Sequence, residues 1–574
     1  MAPATTDTSG RTSITTRRST LAGRYPTWTP LTIDGLLDRA AQEFPERPYL
    51  ITDQQQWTYQ QLQEWSQRMA AGLRELGVQK GDHVAIVMAN FPEFVATKYA
   101  IARAGATCIP INFLNRRDEL GYVLRQSDAK VLITMDKFRD LNYLKMLDEL
   151  APHWEETAGG EAFPMLENVI VFSPTTEYRV GVRTLETLSS HDPWKGYENP
   201  DPNSVSDILY TSGTTGSPKG VMVTHDQYTR AAYGSAYCRG FDDGWRVTYS
   251  LPMYHVFGYA EGMLTVPFVG GAIVPQLVFD PAATLRSIEQ HQCDDILLVP
   301  TMTRLVLDEL QRTQQNYDLS SLRAVISSGQ RSSAGTFELI FELMQPDEVT
   351  TGYGMTEVTA TTTCTRPEDP RDVLYTQGVI REVGRSGDQS LGGILVDYRV
   401  VDPQTGDVLG AGKVGELRAK GPGVTQGYYN KPEENAAAFD DEGWFCSGDL
   451  GSFDDKGYLT LSGRLKETYR VGGEQVMPTE IEDLLNRHPD VAQAHVVPVP
   501  DDRMGEVGAA WIVLRKGAAT TTDELHSLCA ENLARFKVPK YVLFIDADDL
   551  PTTPSGRAQK FLLSERAIMQ LELK

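Results

Sequence analysis

Apolar residues recur at regular spacing along most of the first 460 positions of this 574-residue chain. The segment TIDGLLDRAAQEF (32–44) carries its apolar residues on one face of a helix, and the same period recurs from Tyr59 to Leu73. Short apolar runs, VAIVM (84–88), CIPIN (108–112) and VLIT (131–134), predict buried strands. A helix is predicted over FPEFVATKYAIARAG (91–105), so the alternation indicates an α/β fold with a parallel, helix-covered sheet.

The pattern changes after about residue 380. GGILVDYRVVD, VGELRAKG and GYLTLSG are short alternating strands, which predict an antiparallel sheet or a small β-barrel-like part. From residue 478 a mixture of helices and strands predicts a small mobile α+β domain. The polar, glycine-flanked stretch GRLKETYRVGG (463–473) is expected to be the hinge. The predicted organisation is a disordered tail (1–25), a large N-terminal domain (26–465) and a C-terminal domain (466–574).

Composition limits the partners. A net charge of −23 argues against a nucleic-acid or anionic-membrane surface. The six cysteines are scattered without a C-x-x-C pair, which favours a reducing cytoplasm. The longest uncharged run, GMLTVPFVGGAIVPQLVF (262–279), contains two prolines and several glycines, so it predicts buried strands and turns rather than a membrane helix. The oligomeric state does not follow from these features.

The stretch YTSGTTGSPKG (210–220) is rich in glycine, hydroxyl groups and lysine. Counted from Gly213, the nucleotide P-loop pattern requires Gly, Lys and Ser or Thr at places six to eight, but the chain has Pro218, Lys219 and Gly220. The stretch is therefore not a Walker A loop. Its hydroxyls and backbone N–H groups can still converge on an anion, although GTTG alone would fit an ordinary polar turn.

The complete stretch resembles the phosphate loop of the adenylate-forming superfamily, which includes acyl- and aryl-CoA ligases, stand-alone adenylation domains and beetle luciferases. Four further segments resemble motifs of that superfamily in the same order: TGYGMTE (351–357), WFCSGDL (444–450), GRLKETYRVGGEQVMPTEIE (463–482) and LPTTPSGRAQK (550–560). The resemblance implies that 26–465 is an adenylation (AMP-binding) domain. It also implies ATP, Mg²⁺ and, as the acceptor, CoA as the small molecules bound.

Residue roles follow from this resemblance. The β- and γ-phosphates of ATP would be held by Thr211, Ser212, Gly213, Thr214, Thr215 and Lys219. Adenine would lie on Gly352, Tyr353 and Gly354, with Thr356 at the α-phosphate and Glu357 binding Mg²⁺. The ribose would be bound by Asp449 and Arg464, with Arg470 and Gln475 as further nucleotide contacts.

The acceptor side is implied by the same resemblance. Lys466 would be the hinge residue about which the small domain rotates between the two half-reactions. Gly472 and Gly473 would let the pantetheine thiol approach, and Lys537 would meet the phosphates of CoA or be a solvated surface lysine. Arg557 would be the catalytic cation that bridges the substrate carboxylate and the α-phosphate during adenylation. The sequence departs from the superfamily at this position, because the usual S-G-K is S-G-R here. Arginine keeps the charge but not the compact geometry of the ammonium, and Lys560 is not an obvious replacement.

The acyl pocket is expected along SLPMYHVFGYAEG (250–262), which resembles the corresponding stretch of hydroxycinnamate and benzoate ligases. His255 would gate the pocket beside the carboxylate, and Phe257, Gly329 and Gln330 would line it. Glu261 would either face the same cavity, where it could pair with a hydroxyl or amino group of the substrate, or be exposed to solvent.

The leading hypothesis is an AMP-forming acid–thiol ligase that activates an aromatic carboxylic acid as an acyl-adenylate, releases pyrophosphate and transfers the acyl group to CoA. One alternative passes the acyl group to an amine or to a carrier-protein thiol. An alternative of another class is a catalytically impaired protein that binds ATP and acyl-adenylate without turnover.

Overall fold

The computed structural model describes residues 12–196, 201–211, 218–314, 316–329, 334–552 and 558–573. The chain separates into two compact units. The first comprises Met1–Asp397 and Ala419–Phe445, and the second comprises Tyr398–Arg418 and Cys446–Lys574. The domain boundary expected between residues 465 and 466 stays a prediction.

The α-helices of the described residues are α1 Ile14–Arg24, α2 Ile33–Glu43, α3 Tyr59–Glu75, α4 Pro92–Arg103, α5 Arg117–Gln126, α6 Tyr143–Leu150, α7 Trp154–Thr157, α8 Leu185–Ser189, α9 His225–Cys238, α10 Pro281–His291, α11 Pro300–Arg312, α12 Ala334–Leu339, α13 Pro432–Ala438, α14 Pro478–Leu485, α15 Thr522–Asn532 and α16 Lys560–Gln570. Single-turn 3₁₀ segments include Val266–Val269, Thr356–Val358, Leu465–Glu467 and Arg535–Lys537, and Phe257–Met263 is a π-helix.

The strands of the described residues are β1 Pro48–Ile51, β2 Gln56–Thr58, β3 His83–Val87, β4 Thr107–Ile111, β5 Val131–Met135, β6 Lys137–Phe138, β7 Leu141–Asn142, β8 Asn168–Phe172, β9 Arg183–Thr184, β10 Val205–Thr211, β11 Lys219–Thr224, β12 Arg246–Tyr249, β13 Ala272–Pro275, β14 Asp295–Leu298, β15 Ala324–Ser327, β16 Glu348–Thr350, β17 Gly352–Met355, β18 Ala360–Cys364, β19 Val379–Ile380, β20 Asp397–Val401, β21 Gly415–Lys420, β22 Phe445–Phe453, β23 Leu459–Arg464, β24 Tyr469–Val471, β25 Glu474–Val476, β26 Val491–Asp501, β27 Gly505–Leu514 and β28 Tyr541–Phe544.

Two seven-stranded sheets form the framework of the first unit. Their strand orders are β16-β15-β14-β12-β13-β1-β2 and β11-β10-β4-β3-β5-β8-β9. Neighbouring strands are parallel except at the edge pairs β1–β2 and β10–β11, which are antiparallel. The predicted parallel, helix-covered sheet is confirmed, and α2, α3 and α4 occupy the predicted helical segments. A three-stranded sheet, β17-β18-β19, is also part of this unit.

The N-terminal segment corrects one prediction. Residues 14–24, expected within a disordered tail, form α1, which begins after the N-cap Ser13. Arg17 is buried, forms an ion pair with Glu348 and lies over the ring of Trp245 at 5.5 Å. The buried guanidinium and its carboxylate partner hold the helix in place. Ser, Thr and Arg content alone does not predict this ion pair.

Antiparallel sheets dominate the second unit. The predicted short strands after residue 380 form the four-stranded sheet β20-β21-β22-β23, and β25-β24-β27-β26 with β28 form another. Helices α14, α15 and α16 complete a core around buried residues such as Trp511, whose indole N–H donates to Leu563 O at 3.0 Å. The predicted small α+β domain is therefore present.

The uncharged run 262–279 does not form a single long helix. It contains the end of the π-helix, the 3₁₀ segment Val266–Val269 and strand β13, as the prolines and glycines predicted. Within the described residues, no helix combines the length and the apolar character needed to cross a membrane.

Candidate active site

Three predicted site segments follow the carboxyl ends of strands in one parallel sheet. The loop with His255 follows β12, Gly329 follows β15, and the TGYGMTE segment follows β16. Strand β14 lies between β12 and β15 in this sheet. Ligands of parallel α/β sheets bind at this edge because the loops from several strands converge there. The sheet order thus brings the predicted acyl and adenine segments to one edge, which the sequence alone did not specify.

The phosphate stretch lies at the end of an antiparallel hairpin. Thr211 and Lys219 are partners across β10 and β11, so the loop between them begins and ends at one place. The Tyr122 hydroxyl donates to Pro218 O at 3.0 Å and holds the C-terminal side of the loop. Ser212, Gly213, Thr214 and Thr215 lie outside the described residues, and their predicted phosphate contacts stay predictions.

Tyr428 contacts both Lys219 and Glu357, the residues predicted to bind phosphate and Mg²⁺. The Tyr428 hydroxyl donates to Glu357 Oε1 at 3.0 Å, and Lys219 Nζ lies 5.0 Å from the centroid of the Tyr428 ring. Glu357 is further fixed through its backbone, because Thr425 N donates to Glu357 O at 2.7 Å. Sequence reasoning missed Tyr428, since GYYN (427–430) has the composition of an ordinary turn.

The donor chemistry at Glu357 fits magnesium. No cluster of three or more metal-binding side chains occurs among the described residues, so a cage made only of protein ligands is not present there. Mg²⁺ does not need one, because it usually takes one or two carboxylates together with water and substrate phosphates. A single carboxylate that shares the contact residue Tyr428 with the predicted phosphate lysine is consistent with that pattern.

The adenine segment is a tight antiparallel hairpin of β17 and β18. A Cβ at Gly354 would lie 1.7 Å from Ala360 O, and one at Gly352 would lie 2.2 Å from Thr363 O, so both positions require glycine. The Ser328 hydroxyl donates to Gly352 O at 2.8 Å and ties the hairpin to the loop after β15. Tyr353 is buried in the hairpin. These constraints explain the glycines structurally, and their role as a floor for adenine stays a prediction.

Thr356 and Glu357 open the single-turn 3₁₀ segment that connects β17 and β18. Thr356 is buried, and its carbonyl accepts a hydrogen bond from Thr359 N at 3.1 Å. Thr359 and Ala360 both have positive φ angles, +57° and +73°, which non-glycine residues adopt rarely. Such backbone strain concentrates at functional sites.

His255 is half-buried just before the π-helix Phe257–Met263. Its Nδ1 accepts the Phe257 N–H at 3.2 Å, so the proton of the neutral ring is on Nε2. Burial lowers the pKa of His255 to about 4. The ring is therefore neutral at physiological pH and can act as a hydrogen-bond donor or steric gate but not as a resident cation.

Phe257 and Gly329 are fixed by local structure, and their place in the acyl pocket stays a prediction. Phe257 is buried at the first position of the π-helix, and π-helical turns occur frequently at functional sites. Gly329 has a φ of +96°, a conformation that favours glycine, and a Cβ there would lie 3.3 Å from Val299 Cγ1. Gln330 lies outside the described residues, so its predicted place in the acyl pocket is untested.

Glu261 was expected either to face the acyl pocket or to be exposed to solvent. The structure shows neither, because its carboxylate is buried and bonded within the protein. Its oxygens accept hydrogen bonds from the two terminal nitrogens of Arg381 at 2.9 and 2.7 Å, and from Thr361 N at 3.2 Å. The Ser235 hydroxyl also donates to it, and Arg239 lies at 4.0 Å. Burial alone would raise the pKa of Glu261, but the adjacent Arg381 guanidinium outweighs this and holds the pKa below its ordinary value.

In the second unit the two predicted ribose residues lie together. Asp449 and Arg464 are partners across β22 and β23, and Arg464 Nε lies 2.8 Å from Asp449 Oδ1. Asp449 is largely buried and Arg464 is half-buried. The ion pair fixes the aspartate, and its predicted bidentate contact with ribose stays a prediction.

Lys466 is exposed in the 3₁₀ segment Leu465–Glu467. Gly472 and Gly473 form the two-residue turn between β24 and β25 with φ angles of +58° and +95°. Two-residue hairpin turns with both φ angles positive favour glycine, so hairpin geometry by itself accounts for this pair. Exposed Arg470 donates to Gly473 O at 3.4 Å in the same hairpin, and nothing is described of the Gln475 side chain.

Two further lysines of the second unit, Lys537 and Lys560, have carboxylate partners. Lys537 Nζ lies 2.7 Å from Glu480 Oε2 near the surface, which leaves its predicted CoA contact untested. Lys560 Nζ lies 2.8 Å from Glu482 Oε1 and 3.1 Å from Glu467 Oε2, in a nearly buried cluster. Arg557 lies outside the described residues, so its predicted catalytic role is untested.

Comparisons with known proteins identify AMP-binding enzyme domains along the chain. The family described as AMP-binding enzyme matches residues 37–429, and the AMP-binding enzyme C-terminal domain matches residues 480–557. A Bacillus subtilis protein named putative acyl-CoA synthetase YngI is 34% identical over 94% of this chain and 98% of its own length. A Rhodococcus jostii protein named 3-[(3aS,4S,7aS)-7a-methyl-1,5-dioxo-octahydro-1H-inden-4-yl]propanoyl:CoA ligase is 33% identical over 93% of this chain and 99% of its own length.

A solved structure supports the fold over the same span. The crystal structure of ATP-bound MatB from Rhodopseudomonas palustris matches with a TM-score of 0.80 and 27% identity, covering 94% of this chain and 99% of that one. The first family match contains the phosphate and adenine segments, and the relatives match this chain over nearly their full length. The chain therefore belongs to the AMP-binding enzyme family, the adenylate-forming superfamily, and is an AMP-forming acid–thiol ligase of that family.

Proposed function

We propose that this protein activates a hydrophobic carboxylic acid with ATP, forming an acyl-adenylate and pyrophosphate, and then transfers the acyl group to CoA. The observation that carries the proposal is the group of Lys219, Tyr428 and Glu357. It provides a cation and a metal-binding carboxylate next to the hairpin that holds Gly352 and Gly354. Two anions repel each other, so their reaction requires local positive charge, which the net charge of −23 does not supply.

In the adenylation step, a carboxylate oxygen of the acid attacks the α-phosphorus of ATP, and the bond to the bridging oxygen of pyrophosphate breaks. Lys219 and the hydroxyls of 211–215 bind the departing β- and γ-phosphates, and Thr356 contacts the α-phosphate. Glu357 would hold Mg²⁺, which when bound neutralises phosphate charge. Arg557 supplies the cation between the acid and the α-phosphate, where a guanidinium replaces the usual ammonium.

We propose an apolar acyl group, and an aromatic acid as its first candidate. Phe257 and Val299 supply apolar surface at this edge of the sheet, and His255 is neutral. Glu261, which could have recognised a polar substituent, is fully engaged with Arg381. An alicyclic propanoate is the second candidate class, because the Rhodococcus relative is named for a bicyclic propanoyl group.

CoA is the proposed acceptor because relatives that match the chain over nearly its full length are named as acyl-CoA synthetase or CoA ligase. The thiolate of CoA attacks the carbonyl carbon of the acyl-adenylate, and AMP leaves. Gly472, Gly473 and Lys537 are the proposed acceptor contacts, and Lys466 is the proposed hinge. The scattered cysteines support a cytoplasmic location as part of the proposal.

The test is pyrophosphate exchange into ATP, measured with benzoate, hydroxycinnamate, alicyclic propanoate and medium-chain acids, each with and without Mg²⁺. Acid-dependent exchange, followed by equal amounts of AMP and acyl-CoA once CoA is added, is the expected result. Product analysis with an amine or a carrier-protein thiol distinguishes other acceptors. Binding of ATP with no exchange for any acid would instead support a catalytically impaired binding protein.

A Lys219→Met variant tests the role of the lysine in catalysis. It removes the ammonium but keeps an unbranched chain of similar length. Exchange should fall by about 100-fold or more, in the range seen when one transition-state donor is removed. Lys195→Met, a change to another lysine in the first unit, should leave exchange unaltered.

A further inference from the structure

We infer that Tyr428 is a positioning residue that serves the metal and the phosphate sides of the active site through two different parts of its side chain. Its hydroxyl orients Glu357, and its ring holds Lys219. The inference rests on the proposed function, because that function assigns Lys219 to phosphate and Glu357 to Mg²⁺. It adds a residue that none of the recognised sequence motifs contains.

The hydroxyl contact is a charge-assisted hydrogen bond. Tyr428 Oη donates to Glu357 Oε1 at 3.0 Å, and the tyrosine is only 8% exposed. Glu357 lies on a short 3₁₀ turn, where the backbone alone leaves its side-chain rotamers free. A donor fixed from outside the turn selects one orientation of the carboxylate. A carboxylate oriented before Mg²⁺ arrives loses less conformational entropy on binding.

The ring contact is of a different kind. Lys219 Nζ lies 5.0 Å from the ring centroid, within the range of a cation–π interaction. The face of the ring attracts the ammonium without a fixed hydrogen-bond direction, so N–H groups that point away from the ring can bind phosphate oxygens. Because the lysine is at the end of a flexible four-carbon stem, this contact reduces the number of positions that the ammonium occupies.

The backbone of Tyr428 is rigid enough for this role. Tyr428 N donates to Asn435 Oδ1 at 2.6 Å, and Asn435 Nδ2 donates back to Tyr428 O at 2.9 Å. Tyr428 forms a bridge with Val221 of β11, and Tyr429 N donates to Gly220 O at 2.8 Å. The segment is therefore bonded directly to the strand that begins with Lys219. The tyrosine and the lysine keep their spacing because both belong to this arrangement.

The two contacts predict separable effects on nucleotide binding. Tyr428→Phe removes only the hydroxyl, so it should weaken the binding of Mg²⁺–ATP by about tenfold, the equivalent of one charge-assisted hydrogen bond, and leave metal-free ATP unchanged. Tyr428→Leu removes the ring as well. Tyr428→Leu should weaken the binding of metal-free ATP by roughly twofold to fivefold, as expected for the loss of a partly exposed cation–π contact.

The experiment measures ATP dissociation constants by calorimetry without any carboxylic acid, once in excess Mg²⁺ and once in excess EDTA. Tyr429→Phe is the matched control, because the neighbouring hydroxyl donates to Asp128 Oδ2 at 2.9 Å instead of to Glu357. It should bind ATP like the wild type under both conditions. Thermal unfolding of all three variants checks that each one is folded at the temperature of the measurement.

Equal affinity of wild type and Tyr428→Phe for Mg²⁺–ATP would overturn the assignment of the hydroxyl. Equal loss in Mg²⁺ and in EDTA would also overturn it, because the effect would then not pass through the metal carboxylate. Unchanged metal-free binding by Tyr428→Leu would overturn the assignment of the ring. These outcomes are independent of the reaction: a wild type without exchange for any acid would contradict the proposed function while the binding differences still test Tyr428.

Discussion

Glu261 and Arg381 form a buried, doubly hydrogen-bonded ion pair, with Arg381 Nη1 and Nη2 at 2.9 and 2.7 Å from the two carboxylate oxygens. Glu261 lies on the π-helix that follows His255, and Arg381 lies directly after β19. Arg381 Nη1 also donates to Thr361 O at 2.9 Å, in the second strand of the adenine hairpin. The pair therefore joins the predicted acyl and adenine segments.

Glu261→Gln should lower the stability of the first unit strongly. The change leaves the buried Arg381 guanidinium without its counter-charge, and breaking one partner of a buried ion pair costs about 3–5 kcal/mol. The denaturation midpoint in guanidinium, followed by tryptophan fluorescence, measures the effect. Asp118→Asn is the control, because the Arg117–Asp118 pair is exposed and its loss should leave the midpoint unchanged. A Glu261→Gln midpoint equal to that of the control would show that the buried pair does not stabilise the fold.

A pH effect is expected from His255. Its pKa in the folded protein, about 4, lies below the ordinary value of 6.5, so the unfolded chain binds the proton more readily between these two values. The stability linked to this residue is complete above pH 6.5 and is lost as pH falls towards 4. The loss is about 2–3 kcal/mol at most, because the half-buried ring is partly hydrated.

The measurement compares the free energy of unfolding of wild type and His255→Gln from pH 4.5 to 7.5. His225 and His495 also have lowered pKa values, about 3 and about 4, because both are buried. Only the difference between the two proteins therefore reports on His255. This difference should increase with pH up to about 6.5 and then stay level. A difference independent of pH would mean that His255 titrates normally in the folded protein.

Some parts of the site followed from the sequence because they depend on residues close together in the chain. The glycines of TGYGMTE are needed where β17 lies against β18, and the run YTSGTTGSPKG spans one hairpin. The helical spacing of apolar residues was sufficient to predict α2, α3 and α4. In each case the relevant contact is made within about twenty residues.

The misses depend on long-range partners. Glu261 was expected in the acyl pocket or in solvent, but its partner Arg381 is 120 positions away. Tyr428 is 71 positions from Glu357 and has no distinguishing local pattern. Arg17 belongs to a polar, Ser- and Thr-rich segment, and its pairing with Glu348, 331 positions away, helps to explain why α1 is ordered. Charge and hydrogen-bond partners across the fold cannot be assigned by periodicity.

The cation beside the acid should be Arg557 and not Lys560. Lys560 is bound to Glu467 and Glu482, and these carboxylates raise its pKa although burial alone would lower it. Arg557→Ala should reduce pyrophosphate exchange by about 100-fold or more. Lys560→Met should act mainly through stability, because it leaves two carboxylates without their cation.

Both variants are measured for exchange rate and thermal midpoint. Arg557→Lys, which restores the usual residue, should change the exchange rate without changing the midpoint. An unchanged exchange rate in Arg557→Lys and in Arg557→Ala would remove Arg557 from the catalytic group. A Lys560→Met protein with a wild-type midpoint but no exchange would transfer the catalytic assignment to Lys560.

The proposed hinge is bounded by two ion pairs in the second unit. Arg464 Nε is bound to Asp449 Oδ1 at 2.8 Å, and Glu467 Oε2 is bound to Lys560 Nζ at 3.1 Å. Between these anchors lie only Leu465 and Lys466. If the small domain rotates between half-reactions, the dihedral changes must concentrate at these two residues, because a turn elsewhere would break one of the pairs.

Lys466→Pro should therefore separate the two half-reactions. Proline fixes φ near −65°, so the chain can keep one hinge conformation but cannot pass freely to another. The ratio of the thioester-forming rate, measured in single turnovers, to the pyrophosphate-exchange rate, measured in the absence of CoA, should change by about tenfold or more. Lys466→Ala, which removes the side chain but not the freedom of φ, is the control for loss of the ammonium. If proline and alanine alter both rates by the same factor, the backbone at Lys466 is not the pivot. A proline effect that is confined to one half-reaction and absent from the alanine variant identifies the backbone at Lys466 as the pivot.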